Sequence, residues 1–251
     1  MFFTGMVSVT FRRFDIAGIV DAAMRAGLDG IEWGGDVHVP HGNINAARHA
    51  AAMCADAGLR CFSYGSYYRA GKSPDGDDVI RTALALGAPN IRIWAGTKGS
   101  AETSPAERKA IVSDIAKFAA EAKRAGLTVS FEWHGGTLTD DPTSAMRLLD
   151  ELGNPPNVFL YWQPNQFQSL DYNLQALRLS SQSLLHVHVF NWEGSKKYPL
   201  RNDRGVWRQY LDVIRASSIP GSQHGLFLEF SPDDTVDTFL DDADYLKSLL
   251  S

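Results

Sequence analysis

Along the chain, short apolar runs alternate with longer stretches whose apolar residues recur at helical spacing, and the alternation repeats eight times. The runs cover residues 6–9, 30–33, 60–64, 90–94, 128–133, 158–163, 184–190 and 226–230. They are rich in Val, Ile, Phe and Trp, as strands of a parallel sheet buried on both faces should be. The stretches between them read as amphipathic helices. Residues 14–26 carry Ile16, Ile19, Val20 and Ala23 on one face. Residues 105–125 open on Ser104-Pro105, a capping residue followed by proline at the first helical position, and Asp141-Pro142 repeats the signal. Gly27, Gly58, Gly87 and Gly126 follow helical stretches where a left-handed cap is expected.

Strict alternation of β and α predicts a parallel α/β sheet. Eight units of about 30 residues predict that the sheet closes into a single (β/α)8 TIM barrel, one domain over residues 1–251. An open doubly wound sheet is the alternative. It expects a glycine-rich phosphate turn after the first strand, and Thr10-Phe11-Arg12-Arg13 offers none.

Composition narrows the function classes. An apolar content of 44% over 251 residues is enough for a sizeable core. Twenty-four basic against 29 acidic residues leave a net charge of −5, which disfavours binding to a nucleic-acid backbone. Cys54 and Cys61 lack metal-type spacing and read as free thiols of a reducing compartment. No stretch approaches the roughly 20 apolar residues of a membrane span, and the first residues carry no basic leader. A cytoplasmic protein without membrane partner is expected.

In such a barrel, chemistry gathers at the C-terminal ends of the strands. Polar residues interrupt the apolar runs there: Glu32 on the second strand, Arg92 on the fourth, Glu132 on the fifth, Gln163 on the sixth, His186 and His188 on the seventh, Glu229 on the eighth. A charge on a strand buried on both faces is costly unless paired or metal-bound. Residues two apart share a face, so Glu132 with His134, and His186 with His188, point the same way. Carboxylates and imidazoles gathered at one mouth suit a divalent cation of the Mn, Co, Zn or Mg kind.

Gly30-Ile31-Glu32-Trp33, the run Glu132-Trp133-His134-Gly135-Gly136-Thr137-Leu138-Thr139-Asp140, His186-Val187-His188 and Leu228-Glu229-Phe230 resemble the xylose isomerase-like barrels, which include sugar-phosphate isomerases and epimerases. The resemblance follows the strand order over nearly the whole chain. It implies one divalent metal held by a Glu, an Asp, a His and a Glu on strands five to eight. These positions fall on Glu132, Gln163, His188 and Glu229. The chain departs from the pattern at Gln163, which replaces the usual Asp, and at Gln166, which replaces a histidine that commonly touches substrate. The resemblance further implies that Glu132 and Glu229 act as acid and base on a carbohydrate. One removes a proton next to a carbonyl and the other returns one, while the metal stabilises the resulting enediolate. Such isomerases are often dimers or tetramers, so a homo-oligomer is implied too.

Further substrate contacts are expected from Glu32, His38, Trp94, His134, Gln166 and Arg201, with Lys98 and Arg204 as additional cations near the mouth. Plainer roles are expected elsewhere: Trp33, Trp133 and Trp162 alternate toward the helix layer, and His186 reads as a core histidine. Competing functions are a lyase or dehydratase on an inosose-like or keto-sugar substrate, an endonuclease-like barrel, and a non-catalytic sugar-binding barrel. Endonuclease chemistry needs three zinc ions and a basic surface, which seven histidines and a net charge of −5 do not match.

Overall fold

The structure, a computed structural model, describes residues 1–217 and 222–251. Among the described residues ten strands are found: β1 (Phe2–Val7), β2 (Gly30–Gly34), β3 (Arg60–Arg69), β4 (Asn90–Trp94), β5 (Thr128–Glu132), β6 (Val158–Trp162), β7 (Leu184–Val189), β8 (Trp192–Glu193), β9 (Lys196–Lys197) and β10 (His224–Leu228). Eight of them close into a parallel barrel in the order β1-β10-β7-β6-β5-β4-β3-β2, while β8 and β9 form a small antiparallel hairpin. The helices are α1 (Ile16–Arg25), α2 (Ile44–Asp56), α3 (Gly76–Leu86), α4 (Pro105–Arg124), α5 (Pro142–Glu151), α6 (Leu170–Ser180), α7 (Val206–Ser217) and α8 (Val236–Ser248). The predicted (β/α)8 barrel is the fold observed.

Local chemistry explains the boundaries. Ser104 accepts from the Glu107 amide while Glu107 reaches back to the Ser104 amide, a closed capping box with Pro105 at the first turn of α4. Asp141 caps α5 by accepting from the Ser144 amide, ahead of Pro142. The four glycines expected to stop helices all have positive φ, between 60° and 76°. The helices lay Ile, Leu, Val and Phe on the outer face of the barrel, and Trp33 and Trp162 are fully buried in that layer. Cys54 and Cys61 are free thiols. No helix among the described residues is long and apolar enough to cross a membrane.

Inside the barrel the lower layers are apolar and aromatic. Phe3 stacks on Phe62 with centroids 4.1 Å apart, and Tyr161 and Phe227 fill the middle. His186 sits among them, its Nδ1 accepting from the Gly225 amide at 3.0 Å, and burial pushes its pKa down to about 3. It is a neutral core histidine. The upper layer is charged, and Gly65 of β3 makes room for it. A Cβ there would lie 2.5 Å from Arg92 Nη2 and 3.0 Å from Glu32 Oε1.

Two strands differ most from expectation. The first starts four residues earlier, because Phe2 and Phe3 pair with His224 and Gly225, and Ser8–Phe11 turns into a short 3-10 helix. The third runs on past residue 64 to Arg69, with an irregularity between Gly65 and Arg69.

Outside the barrel, Asp242 of α8 accepts from the Leu200 amide at 2.6 Å. Burial pushes its carboxyl up to about 6. A raised carboxyl pKa means that the folded state holds the proton more tightly, so the contribution to stability is present at low pH and lost as pH rises through about 6. Asp242→Asn is therefore expected to gain about 1–3 kcal/mol relative to wild type between pH 5 and pH 8 in urea unfolding; a difference independent of pH would show that burial does not perturb this carboxyl. Gly65→Ala should cost about 1–3 kcal/mol by the same measurement, since Arg92 and Glu32 must shift.

Candidate functional site

The charged layer is built on strand ends. Glu132 closes β5, Gln163 lies one residue past β6, His188 lies near the end of β7, and Glu229 follows β10 directly. The backbone holds each in place. Thr139 Oγ1 donates to the Glu132 carbonyl at 2.6 Å, and the Glu229 amide donates to the Val189 carbonyl at 3.0 Å. Ligand atoms of Glu132, His188 and Glu229 all lie within 4.8 Å of one another, and all three residues are buried.

Arg92 organises the layer from β4. It is 1% exposed; its Nε donates to Glu32 Oε1 at 2.8 Å and its Nη1 donates to Glu132 Oε2. The Trp94 indole N–H donates to the same Glu132 oxygen. Burial alone would raise the Glu32 carboxyl, but Arg92 and then His188 outweigh it and hold the group well below the usual carboxylate range. Burial, together with the neighbouring Glu132, raises Glu229 despite the opposing pull of His188. His188, though buried, is raised by Glu229 and Glu32.

The tautomer of His188 decides what the cluster can hold. Nε2 lies 3.3 Å from Glu32 Oε1 and donates to it. Nδ1 then faces three oxygens: Gln163 Oε1 at 3.1 Å, Glu229 Oε2 at 3.4 Å and Glu132 Oε1 at 3.7 Å. Gln163 Nε2 is committed to the Trp133 carbonyl at 2.6 Å, which turns its oxygen toward the cluster. A lone pair facing oxygen acceptors is unfavourable without a positive species between them, a proton or a cation. Three carboxylates less one guanidinium leave two negative charges with neutral His188, the charge that a divalent cation balances. Separations up to 4.8 Å are what donors at about 2.0–2.6 Å from one ion span. The donor set of one nitrogen and three oxygens therefore fits a divalent metal.

Beside the cluster lies a cavity of about 230 Å³, lined by Trp133, His134, Asp140, Gln163, Gln166 and Phe167 among others. His134 and Gln166, expected to touch substrate, do face this space. Trp94 reaches the cluster, but its ring is already in contact with His134 at 4.5 Å and with Arg69 at 3.8 Å, so it is not a bare platform for a sugar.

Three expected contacts are placed elsewhere. Glu32 is 0% exposed beneath His188 and Arg92; it orients those two residues and cannot reach a substrate hydroxyl. His38 turns inward between strand and helix, with Nε2 on the Phe14 carbonyl at 3.1 Å and its ring edge against Trp33. Arg201 pairs with Asp241 of α8 at 3.5 Å, away from the cluster. Lys98 likewise pairs with Glu107. The roles of Arg92 and Arg69 are not assigned from the sequence. An inward arginine beside two strand-end glutamates is the available signal for the first; nothing in the apolar pattern marks the second.

Residues 20–239 match a family model described as xylose isomerase-like TIM barrel. The chain belongs to that family. No curated relative matches it by sequence. Solved structures share its fold at low identity. The probable 3-DHS dehydratase AsbF of petrobactin synthesis, from Bacillus anthracis, is 19% identical with a TM-score of 0.79 over 98% of this chain and 99% of that one. A D-allulose 3-epimerase from Methylomonas sp., solved with D-allulose, is 15% identical with a TM-score of 0.71 over 98% and 96%. A xylose isomerase-like TIM barrel protein from Mycobacterium smegmatis, in complex with magnesium, is 16% identical with a TM-score of 0.67 over 96% and 90%.

In this xylose isomerase-like barrel, removing Arg92 would leave Glu32 and Glu132 buried and facing each other's charge. Arg92→Met is expected to lower the unfolding free energy by about 3–5 kcal/mol. A loss below about 1 kcal/mol in urea titration would show that the ion pair does not organise the layer.

Proposed function

We propose that the protein is a divalent-metal-dependent sugar isomerase or epimerase that moves a proton on a carbon next to a carbonyl. The observation that carries this reading is the meeting of two buried glutamates, from β5 and β10, with His188 Nδ1 inside one 4.8 Å cluster beside a cavity. Membership of the family and the likeness to an epimerase solved with its sugar support it.

Glu132, Gln163, His188 and Glu229 are the residues that would hold the metal. A divalent cation bound there supplies a Lewis acid that stabilises charge building on the substrate's carbonyl oxygen. Glu132 ends β5 and Glu229 directly follows β10, two strands that are not adjacent in the barrel, so they approach a bound carbon from different sides. One takes the proton and the other returns it. Arg92 and the Trp94 indole, both bound to Glu132 Oε2, keep one of its oxygens occupied and leave the other, Oε1, turned toward His188. Gln166 and His134 contact the substrate's hydroxyls from the cavity wall. Elimination of a hydroxyl from the neighbouring carbon begins with the same proton removal. The likeness to a probable dehydratase supports that second reading.

Incubation with Mn2+ and a panel of ketoses and inososes in deuterated water tests both. Deuterium is expected to enter the carbon next to the carbonyl, with an epimer, an isomer or a dehydrated product identifying the reaction. Glu229→Gln should reduce exchange by at least about a hundredfold while Mn2+ still binds. Full exchange in that variant would remove Glu229 from proton transfer.

A further inference from the structure

We infer that the bulged end of β3 is a substrate-selecting element, in which Arg69 receives a carboxylate carried by the substrate. The apolar run of this strand ends at Tyr64, yet the chain stays extended to Arg69. Between Gly65 and Arg69 the pairing with β4 slips, and Tyr67 takes a left-handed φ of 57°. For a bulky residue this conformation is strained and persists only where surrounding contacts hold it. Here the Tyr67 hydroxyl accepts from Arg12 Nη2 at 3.2 Å, and its ring lies 5.5 Å from Trp94 and 5.7 Å from the Arg92 guanidinium.

The consequence of the slip is the placement of Arg69. It pairs with Trp94 across the sheet, and its guanidinium carbon lies 3.8 Å from the centroid of that ring. Trp94 in turn donates to Glu132. A cation is thus held one side chain away from the acid/base cluster. Several other cations around the mouth are spent: Arg12 on Asp36, Lys98 on Glu107, Lys197 on Asp234 and Arg201 on Asp241. The Arg69 side chain makes no ion pair or hydrogen bond with the described residues, and it is only half-buried. Its N–H donors are available as a planar fork.

Charge selects the ligand. On the reading above, a divalent cation brings the cluster of three glutamates and Arg92 to neutrality. Arg69 is then one positive charge in excess at the mouth, matched by a monoanion. A carboxylate fits the fork through two parallel hydrogen bonds. A phosphate dianion would leave a negative charge uncompensated next to Glu132.

The test is binding, so it does not depend on turnover. Calorimetric titration of the Mn2+-loaded protein with D-glucuronate and with D-glucose compares the same ring with and without the carboxylate. Glucuronate is expected to bind at least about tenfold more tightly, and Arg69→Gln should abolish that difference while leaving glucose affinity unchanged. Arg69→Lys, which keeps the charge and loses the fork, should retain an intermediate preference. Equal affinity of the wild type for the two sugars would overturn the proposal. So would a preference that survives in Arg69→Gln, since the carboxylate would then sit on the bound cation. Tighter binding of D-glucose 6-phosphate than of glucuronate would replace the carboxylate by a phosphate and likewise overturn it. Failure of deuterium exchange with intact, Arg69-dependent glucuronate preference would instead strike the proton-transfer reading alone.

Discussion

The ion pair between Arg92 and the two glutamates beside it is the constraint on which the rest of the site depends. A barrel interior is a poor place for charge, and three carboxylates packed at one end would repel one another and refuse to ionise together. Arg92, fully buried, binds Glu32 with one nitrogen and Glu132 with another. That keeps Glu32 ionised, and Glu32 can then accept from His188 Nε2 and orient that ring with Nδ1 toward the mouth. The direction of His188 Nδ1 is thus set by a residue three strands away from it in chain order. Gly65 on the neighbouring strand is the steric condition for the arrangement, because any larger side chain would occupy the space of the guanidinium.

The same ledger gives a reason for Gln163. Where the family pattern has an aspartate, this chain has a neutral amide, and its layer already contains an internal guanidinium. With Gln163 the cluster carries two negative charges; with an aspartate it would carry three. The amide is also anchored through its nitrogen to the Trp133 carbonyl, so its oxygen is presented without the side-chain freedom a surface glutamine would have. The substitution keeps an oxygen donor and removes a charge.

Among the described residues, two of the five non-glycine positions at positive φ flank this layer. Tyr67 and Phe230 are bulky residues at positive φ, and both lie beside the charged cluster, one over Arg92 and the other directly after Glu229. Phe230 is held by its amide donating to Thr10 Oγ1. Such conformations are tolerated where packing over-determines the backbone.

The sequence by itself determined the eight alternating units, the helix ends and the strand-end positions of Glu132, Gln163, His188 and Glu229. These depend on local periodicity, on Ser, Asp, Pro and Gly at helix termini, and on the rule that alternate residues of a strand share a face. The depth of each residue was decided only by the tertiary structure. Glu32 and Glu132 look alike along the chain, yet one lies sealed under His188 and Arg92 while the other joins His188 and Glu229 in the cluster, because depth depends on the shear of the barrel and not on strand-end position alone. His38 and Arg201 were unreadable for a related reason. Loop side chains take whichever partner the neighbouring helices present, and those partners, Phe14 and Asp241, are distant in sequence or belong to another element. The course of β3 beyond residue 64 was likewise beyond local pattern, since its last residues, Tyr67 and Arg69, are held by Trp94, Arg12 and Arg92 from other strands and loops.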